Sequence, residues 1–302
     1  MRTAAAAMAL AASTAAIAGP TPLAPPPAAV DIIQGARDRD QRLTVPVRLE
    51  GQGPYDFVVD TGSQRSIVAA GVAARLALKP ARQVRVIDIG GTQMVDTVTA
   101  TELGIGGRSY RDLELPIMDD ANVGADGVVG TDNLQQQRVL LDFARNRMIV
   151  GDARSLGGNG GYEIVVTARR KSGQLIITEA TIDHVRVAVV IDTGSETTMG
   201  NRALQRALAR SDGGKQVTLV SATGNVVVAD MGLADRLSID NVGITNVLIA
   251  YSDAPVFPAL DLAAKPALML GMRELRLFKR VAIDFASRKI LFNVPAGLSN
   301  SR

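Results

Sequence analysis

The chain has 302 residues, 47% hydrophobic and 21% charged, enough to bury a core in two modest domains or one large one. It has no Cys and one His, which excludes disulfides, Cys-based metal sites and a thiol nucleophile, and leaves His184 as the only histidine a Ser-His-Asp triad could use; no G-x-S-x-G elbow accompanies it. The net charge of +3 and the pI near 9.4 invite a nucleic-acid reading, but the arginines are scattered and the densest run, Arg169-Arg170-Lys171, reads as a solvated turn, so no nucleic-acid partner is expected.

Residues 1–18 read as a signal peptide. Arg2 supplies the positive start, Ala4 to Ala12 form a short apolar stretch, and Ala16-Ile17-Ala18 gives a small-x-small cleavage pattern. The stretch falls below the ~20 residues that span a bilayer, which weighs against a retained anchor. The expectation is a bacterial protein exported to the periplasm or secreted, without a transmembrane anchor after cleavage. Residues 19–40 form a linker whose first part, GPTPLAPPPAAV, should be extended.

After the linker the chain repeats itself. Tyr55 to Val59 lead into Asp60-Thr61-Gly62-Ser63, and Arg186 to Ile191 lead into Asp192-Thr193-Gly194-Ser195. Gly127-Val128-Val129-Gly130 is answered by Leu268-Met269-Leu270-Gly271. Val139 to Phe143 is answered by Val281 to Phe285, and the strand-like runs Arg147 to Val150 and Lys289 to Phe292 close the copies. The boundaries implied are a first lobe at 41–152, a Gly-rich link at 153–162, a second lobe at 163–296 and a tail at 297–302.

Within each copy, short Val/Ile-rich runs separated by Gly, Asp and Asn read as strands of three to six residues, such as Val84 to Ile89, Leu103 to Ile105, Val217 to Val220 and Val247 to Ile249. Helical patterns occur at Ala69 to Leu78, Asp132 to Gln137, Arg202 to Arg210 and Met272 to Phe278. His184 falls in a polar hairpin turn and reads as structural. The fold class is mostly β, as two homologous lobes with short helices in equivalent places.

An Asp-Thr-Gly-Ser loop at the end of an apolar strand delivers a carboxylate to a rigid position. Gly permits a tight backbone path beside a symmetry mate, and the Thr and Ser hydroxyls can donate to the carboxylate or the facing loop. Two such loops meeting across a pseudo-twofold axis would bring Asp60 and Asp192 about 3 Å apart, where both cannot ionise and one proton is shared. Such a pair activates water with one carboxylate and polarises a carbonyl with the other, with no metal or cofactor.

These motifs resemble the aspartic peptidases of the pepsin and retropepsin superfamily. In detail the chain is similar to the bacterial retropepsin-like aspartyl proteases with two tandem domains, over about residues 40–295. The resemblance implies β-barrel lobes, Asp60 and Asp192 as the catalytic pair, and Thr61 and Thr193 bracing the two loops, with Gly62, Ser63, Gly194 and Ser195 completing them. It implies that Val129-Gly130 and Leu270-Gly271 cross beneath the loops. It further implies flap hairpins near Val86 to Val95, with Gly90 and Gly91 at the tip, and near Leu219 to Val228, with Gly224. Unlike pepsin, the chain has no Tyr in either flap. The function implied is a monomeric endopeptidase acting on peptides or unfolded proteins. The alternatives are a peptide-binding protein on the same fold with little turnover, and a basic surface protein that binds acidic polymers.

Overall fold

In the computed structural model, residues 30–208 and 215–295 are described. The 1–18 segment read as a signal peptide, most of the 19–40 stretch read as a linker, the last residues of the Arg202–Arg210 helical pattern and the 297–302 tail lie outside them. The duplication seen in the sequence is repeated strand for strand. The first half contains β1 (Asp31–Gln34), β2 (Ala36–Arg37), β3 (Leu43–Leu49), β4 (Gln52–Val59), β5 (Ile67–Ala69), β6 (Lys79–Ile87), β7 (Thr92–Ile105), β8 (Arg108–Met118), β9 (Gly127–Val129), β10 (Arg138–Asp142) and β11 (Arg147–Gly151). The second half contains β12 (Ile164–Thr167), β13 (Arg169–Lys171), β14 (Gln174–Ile182), β15 (Val185–Ile191), β16 (Thr198–Asn201), β17 (Gln216–Val220), β18 (Val226–Ile239), β19 (Val242–Ser252), β20 (Ala267–Leu270), β21 (Arg280–Asp284) and β22 (Lys289–Asn293).

One eight-stranded sheet runs in the order β2-β3-β4-β9-β5-β8-β7-β6, and its counterpart in the order β13-β14-β15-β20-β16-β19-β18-β17. The second is the first shifted by eleven strands. Extra pairings β3–β7 and β14–β18 curl each sheet toward a barrel. Side-chain alternation drives this: along β3 Leu43, Val45, Val47 and Leu49 are buried while Pro46 and Arg48 face out. The strands that end at the aspartates are different. Phe57, Val58 and Val59 in β4, and Val189, Val190 and Ile191 in β15, are all buried, as befits strands covered on both faces.

A third sheet, β1-β11-β10-β21-β22-β12, joins the lobes and is itself twofold in its order. At its centre β10 pairs antiparallel with β21, setting Arg138 opposite Asp284 and Asp142 opposite Arg280. The two repeated Asp-Phe pairs belong here. Asp142 accepts from the Arg145 N–H at 3.1 Å and Asp284 from the Ser287 N–H at 2.8 Å, so each aspartate caps the turn into the last strand of its half. One apolar core runs through both lobes, from Ile33 to Val294.

Four sequence expectations need correction. The 19–40 linker ends early, because Asp31–Gln34 pairs with β11 and Ala36–Arg37 with β3; burial of Ile33 and closure of an open sheet edge hold them. Arg169-Arg170-Lys171 is an edge strand on β14, not a turn, which leaves Arg169 and Arg170 in solvent. Several strands far exceed three to six residues: β7 and β18 have 14 each, because they run from the barrel wall out into projecting hairpins. The helices are shorter than their patterns, covering Ala70–Arg75, Arg202–Ala207 and Met272–Leu275, with a 3-10 turn at Thr131–Asn133. Two further turns of helix, Asp120–Val123 and Val256–Ala259, carry no strong periodic signal.

Candidate active site

Asp60 and Asp192 leave the ends of β4 and β15 in the same way. β9 lies parallel to β4, and the Asp60 N–H donates to the Val129 carbonyl at 3.0 Å; β20 lies parallel to β15, and the Asp192 N–H donates to the Leu270 carbonyl at 3.0 Å. The chain then crosses under each loop at a glycine. A Cβ on Gly130 would lie 2.7 Å from the Ser66 nitrogen, and one on Gly271 would lie 2.7 Å from the Thr197 carbonyl carbon, so only Gly fits the crossing. Beyond it, the Thr131 and Met272 N–H groups donate to the Ser63 and Ser195 carbonyls at 2.9 and 2.8 Å.

The two loops clasp each other. The Thr61 hydroxyl donates to the Ile191 carbonyl at 2.8 Å, and the Thr193 hydroxyl donates to the Val59 carbonyl at 2.6 Å while accepting from the Thr61 N–H at 3.0 Å. All of this is buried, where a lost partner costs about 1–3 kcal/mol. The Ser hydroxyls stay within their own loops: Ser63 donates to the Arg65 carbonyl at 2.7 Å and Ser195 to the Thr197 carbonyl at 3.0 Å. The carboxylates are instead met by backbone. Gly62 and Ser63 N–H donate to Asp60 Oδ1 at 2.7 and 3.1 Å, and Gly194 N–H donates to Asp192 Oδ1 at 3.1 Å.

The carboxyl groups of Asp60 and Asp192 converge on the same point: a Cβ built on Gly62 would lie 2.7 Å from Asp192 Oδ1 and 3.1 Å from Asp60 Oδ1. Gly62 and Gly194 make this approach possible, since a Cβ on Gly194 would press still closer on the Asp60 carboxylate. Burial raises both carboxyls above the usual 3.8. Asp192 is pushed up to about 8 by burial and then by the charge of Asp60. Asp60 is opposed in this by the Gly62 and Ser63 N–H groups and by the Arg42 guanidinium. Asp60 is therefore the first of the pair to ionise, and Asp192 the one that keeps a proton.

Several contributing residues carry no motif of their own. Beneath the loops, the Gly130 N–H donates to the Ser66 hydroxyl at 3.1 Å, and Ser66 donates to Asp132 at 2.9 Å. The second lobe repeats this with the Gly271 N–H on the Thr198 hydroxyl at 2.9 Å and Thr198 on Glu274, whose carboxyl is raised by burial. Arg42 and Gln174 also correspond, each 18 residues before its aspartate. Gln174 donates to the Gly62 carbonyl across the lobe boundary, while Arg42 is held by Asp38 at 2.7 Å and the Val123 carbonyl at 2.9 Å. Only the register of the repeat could have singled these out.

Over the pair stand two hairpins. The β6–β7 tip (Asp88 to Gly91) and the β17–β18 tip (Ser221 to Asn225) meet, and Asp88 Oδ2 accepts from the Thr223 N–H and hydroxyl at 3.0 and 2.7 Å. Gly90 packs against Asn225 and Ser221, Gly91 faces Asn225, and Gly224 adopts a φ of 85° beside Asn122. A cavity of about 230 Å³ lies between hairpins and aspartates, lined by Asp60, Asp192, Ile87, Val220 and Met269 among others. A second of about 510 Å³ continues past Gly62 and Ser63 to Arg65, Arg82 and Arg85. His184 is exposed in the β14–β15 turn.

Comparison with known families agrees with this geometry. The sequence profile of a family described as Aspartyl protease matches residues 45–133 and again 178–273, one stretch in each lobe. No curated protein matches the chain.

Proposed function

The chain belongs to the aspartyl protease family, and on that premise we propose that it is an endopeptidase that hydrolyses peptide bonds with water held between Asp60 and Asp192. The observation that carries the reading is the convergence of the two carboxyls, held by the Thr61 and Thr193 clasp between the loops and separated from each other only by glycine backbone, with both carboxyls raised by burial. In this reaction Asp60, as carboxylate, takes a proton from the water as it attacks the scissile carbonyl. Asp192, as acid, donates its proton to the carbonyl oxygen. The tetrahedral intermediate then collapses with proton return to the leaving amine. The braced loops keep both groups in place without reorganisation, and the hairpins exclude bulk water, which strengthens the electrostatics of the site.

The substrate is an extended peptide or unfolded protein lying under the hairpins, and the working unit is a monomer, since one chain carries both aspartates. Export remains part of the proposal on the strength of the 1–18 segment. The test is cleavage of an unfolded protein by wild type, Asp60→Asn and Asp192→Asn. Full activity in either variant would sink the shared-proton mechanism. Peptide binding without cleavage by the wild type would select the alternative of a peptide-binding protein on this fold.

A further inference from the structure

The cleft is built by duplication, but its two ends do not carry the same charge. Beyond Gly62 and Ser63, the 510 Å³ cavity is bordered by Arg65 from the catalytic loop and by Arg82 and Arg85 from β6. Strand register identifies their counterparts. Ile87↔Thr92 and Val220↔Val226 are the last ladder pairs before the two hairpin tips, so Arg85 corresponds to Thr218 and Arg82 to Lys215. Arg65 and Thr197 each stand five residues after their aspartates, and Gln64 corresponds to Glu196.

One of the first lobe's cations is already spoken for. Arg82 pairs with Glu114 at 2.9 Å, and that contact holds Glu114 below the ordinary carboxylate range. Glu114 itself corresponds to Leu248 in the second lobe, since Val68↔Ile117 matches Gly200↔Tyr251. Arg65 and Arg85 are exposed, and among the described residues no carboxylate lies in ion-pair contact with either, although the charge of Arg65 also helps to lower Glu114 from a greater distance. The first-lobe end thus has three guanidiniums against one carboxylate, while at the second-lobe end Thr197 and Thr218 stand in place of Arg65 and Arg85, and Glu196 is paired with Arg273 at 3.7 Å. The floor between the arginines is apolar, made by Ile67, Val86, Pro116 and Leu260. A pocket with an apolar floor and two uncommitted planar cations at its rim suits a carboxylate on a short aliphatic stem, because a guanidinium binds a carboxylate through two parallel N–H donors.

We propose that this end of the cleft is an acidic-residue subsite, in which Arg65 and Arg85 receive a Glu or Asp side chain of the substrate and so fix where the peptide is cut. The proposal rests on the peptidase reading and deepens it. Since the second-lobe end lacks the pair, the preference falls on one side of the scissile bond only, and the substrates are peptides with an acidic residue near an apolar stretch.

The experiment uses fluorogenic peptides that differ only by Glu or Gln, with the substitution scanned through three positions on each side of the scissile bond. The expected result is a roughly ten-fold higher kcat/KM for Glu over Gln at one position, the low end for hydrogen bonds to a charged group because both arginines are exposed. Salt should erode it. In Arg65→Thr/Arg85→Thr, which installs the second-lobe residues, the ratio should fall toward one; in Arg65→Glu/Arg85→Glu it should invert, with Lys favoured over Gln. A ratio near one at every position in an enzyme that cleaves these peptides overturns the subsite and leaves the peptidase standing. If none of the peptides is cut, the peptidase reading fails first. The same labelled pairs are then compared by fluorescence anisotropy: tighter binding of Glu that the Thr variant abolishes supports the subsite, and equal affinity overturns it.

Discussion

Asp88, at the tip of one hairpin, accepts two hydrogen bonds from Thr223 at the tip of the other, at 2.7 and 3.0 Å, while its second oxygen caps its own turn through the Gly90 and Gly91 N–H groups at 2.8 and 3.0 Å. One carboxylate therefore shapes the first tip and fastens the second to it. The hairpins are two-stranded ladders whose inner side chains, Val84 and Val86 in one and Val217 and Leu219 in the other, pack on apolar clusters, and this contact adds a polar link between the tips above the aspartates. Asp88→Ala should raise amide exchange at Gly90, Gly91, Thr223 and Asn225 by about ten-fold or more, for a loss of ~1–3 kcal/mol, and leave β4 and β15 protected. Protection unchanged at Thr223 would mean that the tips are held by packing of Ile89 on the second lobe instead.

The aspartate pair sets a pH dependence with a definite sign. In the proposed mechanism Asp60 is ionised and Asp192 protonated, so kcat/KM should fall as pH rises through about 8, where Asp192 loses its proton. It should also fall on the acid side at a pH above the ordinary carboxylate value of 3.8, because burial raises Asp60 as well. Stability follows linkage. A carboxyl raised in the folded state is neutral there while its unfolded counterpart ionises, so wild type loses stability between 3.8 and about 8. Asp192→Asn carries no such penalty and should gain about 1–2 kcal/mol over wild type at pH 8, with the gain absent at pH 4. Thermal unfolding at the two pH values measures it.

Arg42 tunes the same pair from one side. Among the described residues it is the cation that lowers Asp60, and it is fixed by Asp38 and the Val123 carbonyl. The second lobe has Gln174 at this place, which shows that an uncharged residue fits the framework. Arg42→Gln should move the acid limb of the activity profile upward and leave the alkaline limb near about 8, since Arg42 is not among the groups that shift Asp192. A uniform drop across all pH would assign Arg42 to holding the loop rather than to electrostatics.

Much of this architecture was legible because the sequence says everything twice. The Asp-Thr-Gly-Ser loops, the apolar-apolar-Gly crossings and the Asp-Phe turns stand out by recurrence, and each marks a place where backbone packs on backbone and leaves little choice of residue. Ser66 with Asp132, and Thr198 with Glu274, do the same job with different side chains, so residue identity hides them and only register reveals them. Strand lengths were underestimated because the ladders of β7 and β18 run on through polar and small residues, Thr99 to Glu102 in the one and Asp230, Gly232 and Ala234 in the other, that interrupt the Val/Ile pattern. β1 went unread for another reason: a four-residue edge strand is specified by its partner, β11, rather than by its own propensity.

The joint between lobes makes the last prediction. Arg138 and Asp284 face each other across β10 and β21, each 1% exposed, with guanidinium hydrogen bonds of 2.8 and 3.2 Å. Arg138 also donates to Asn159 at 2.8 Å and to the Gly158 carbonyl, tying the Gly-rich link to the same point. Removing one partner strands the other as an unpaired buried charge, so Arg138→Met should destabilise by about 3–5 kcal/mol. Asp284→Asn keeps an oxygen for the Ser287 N–H, and Arg138→Met/Asp284→Asn should recover most of the loss, because no charge is left buried. Urea unfolding of the three variants gives the coupling energy. Additive losses would mean that Arg138 acts through Gly158 and Asn159 rather than through Asp284. Since this sheet unites the halves that carry Asp60 and Asp192, activity in Arg138→Met should vanish at the same urea concentration as the folded signal, not before it.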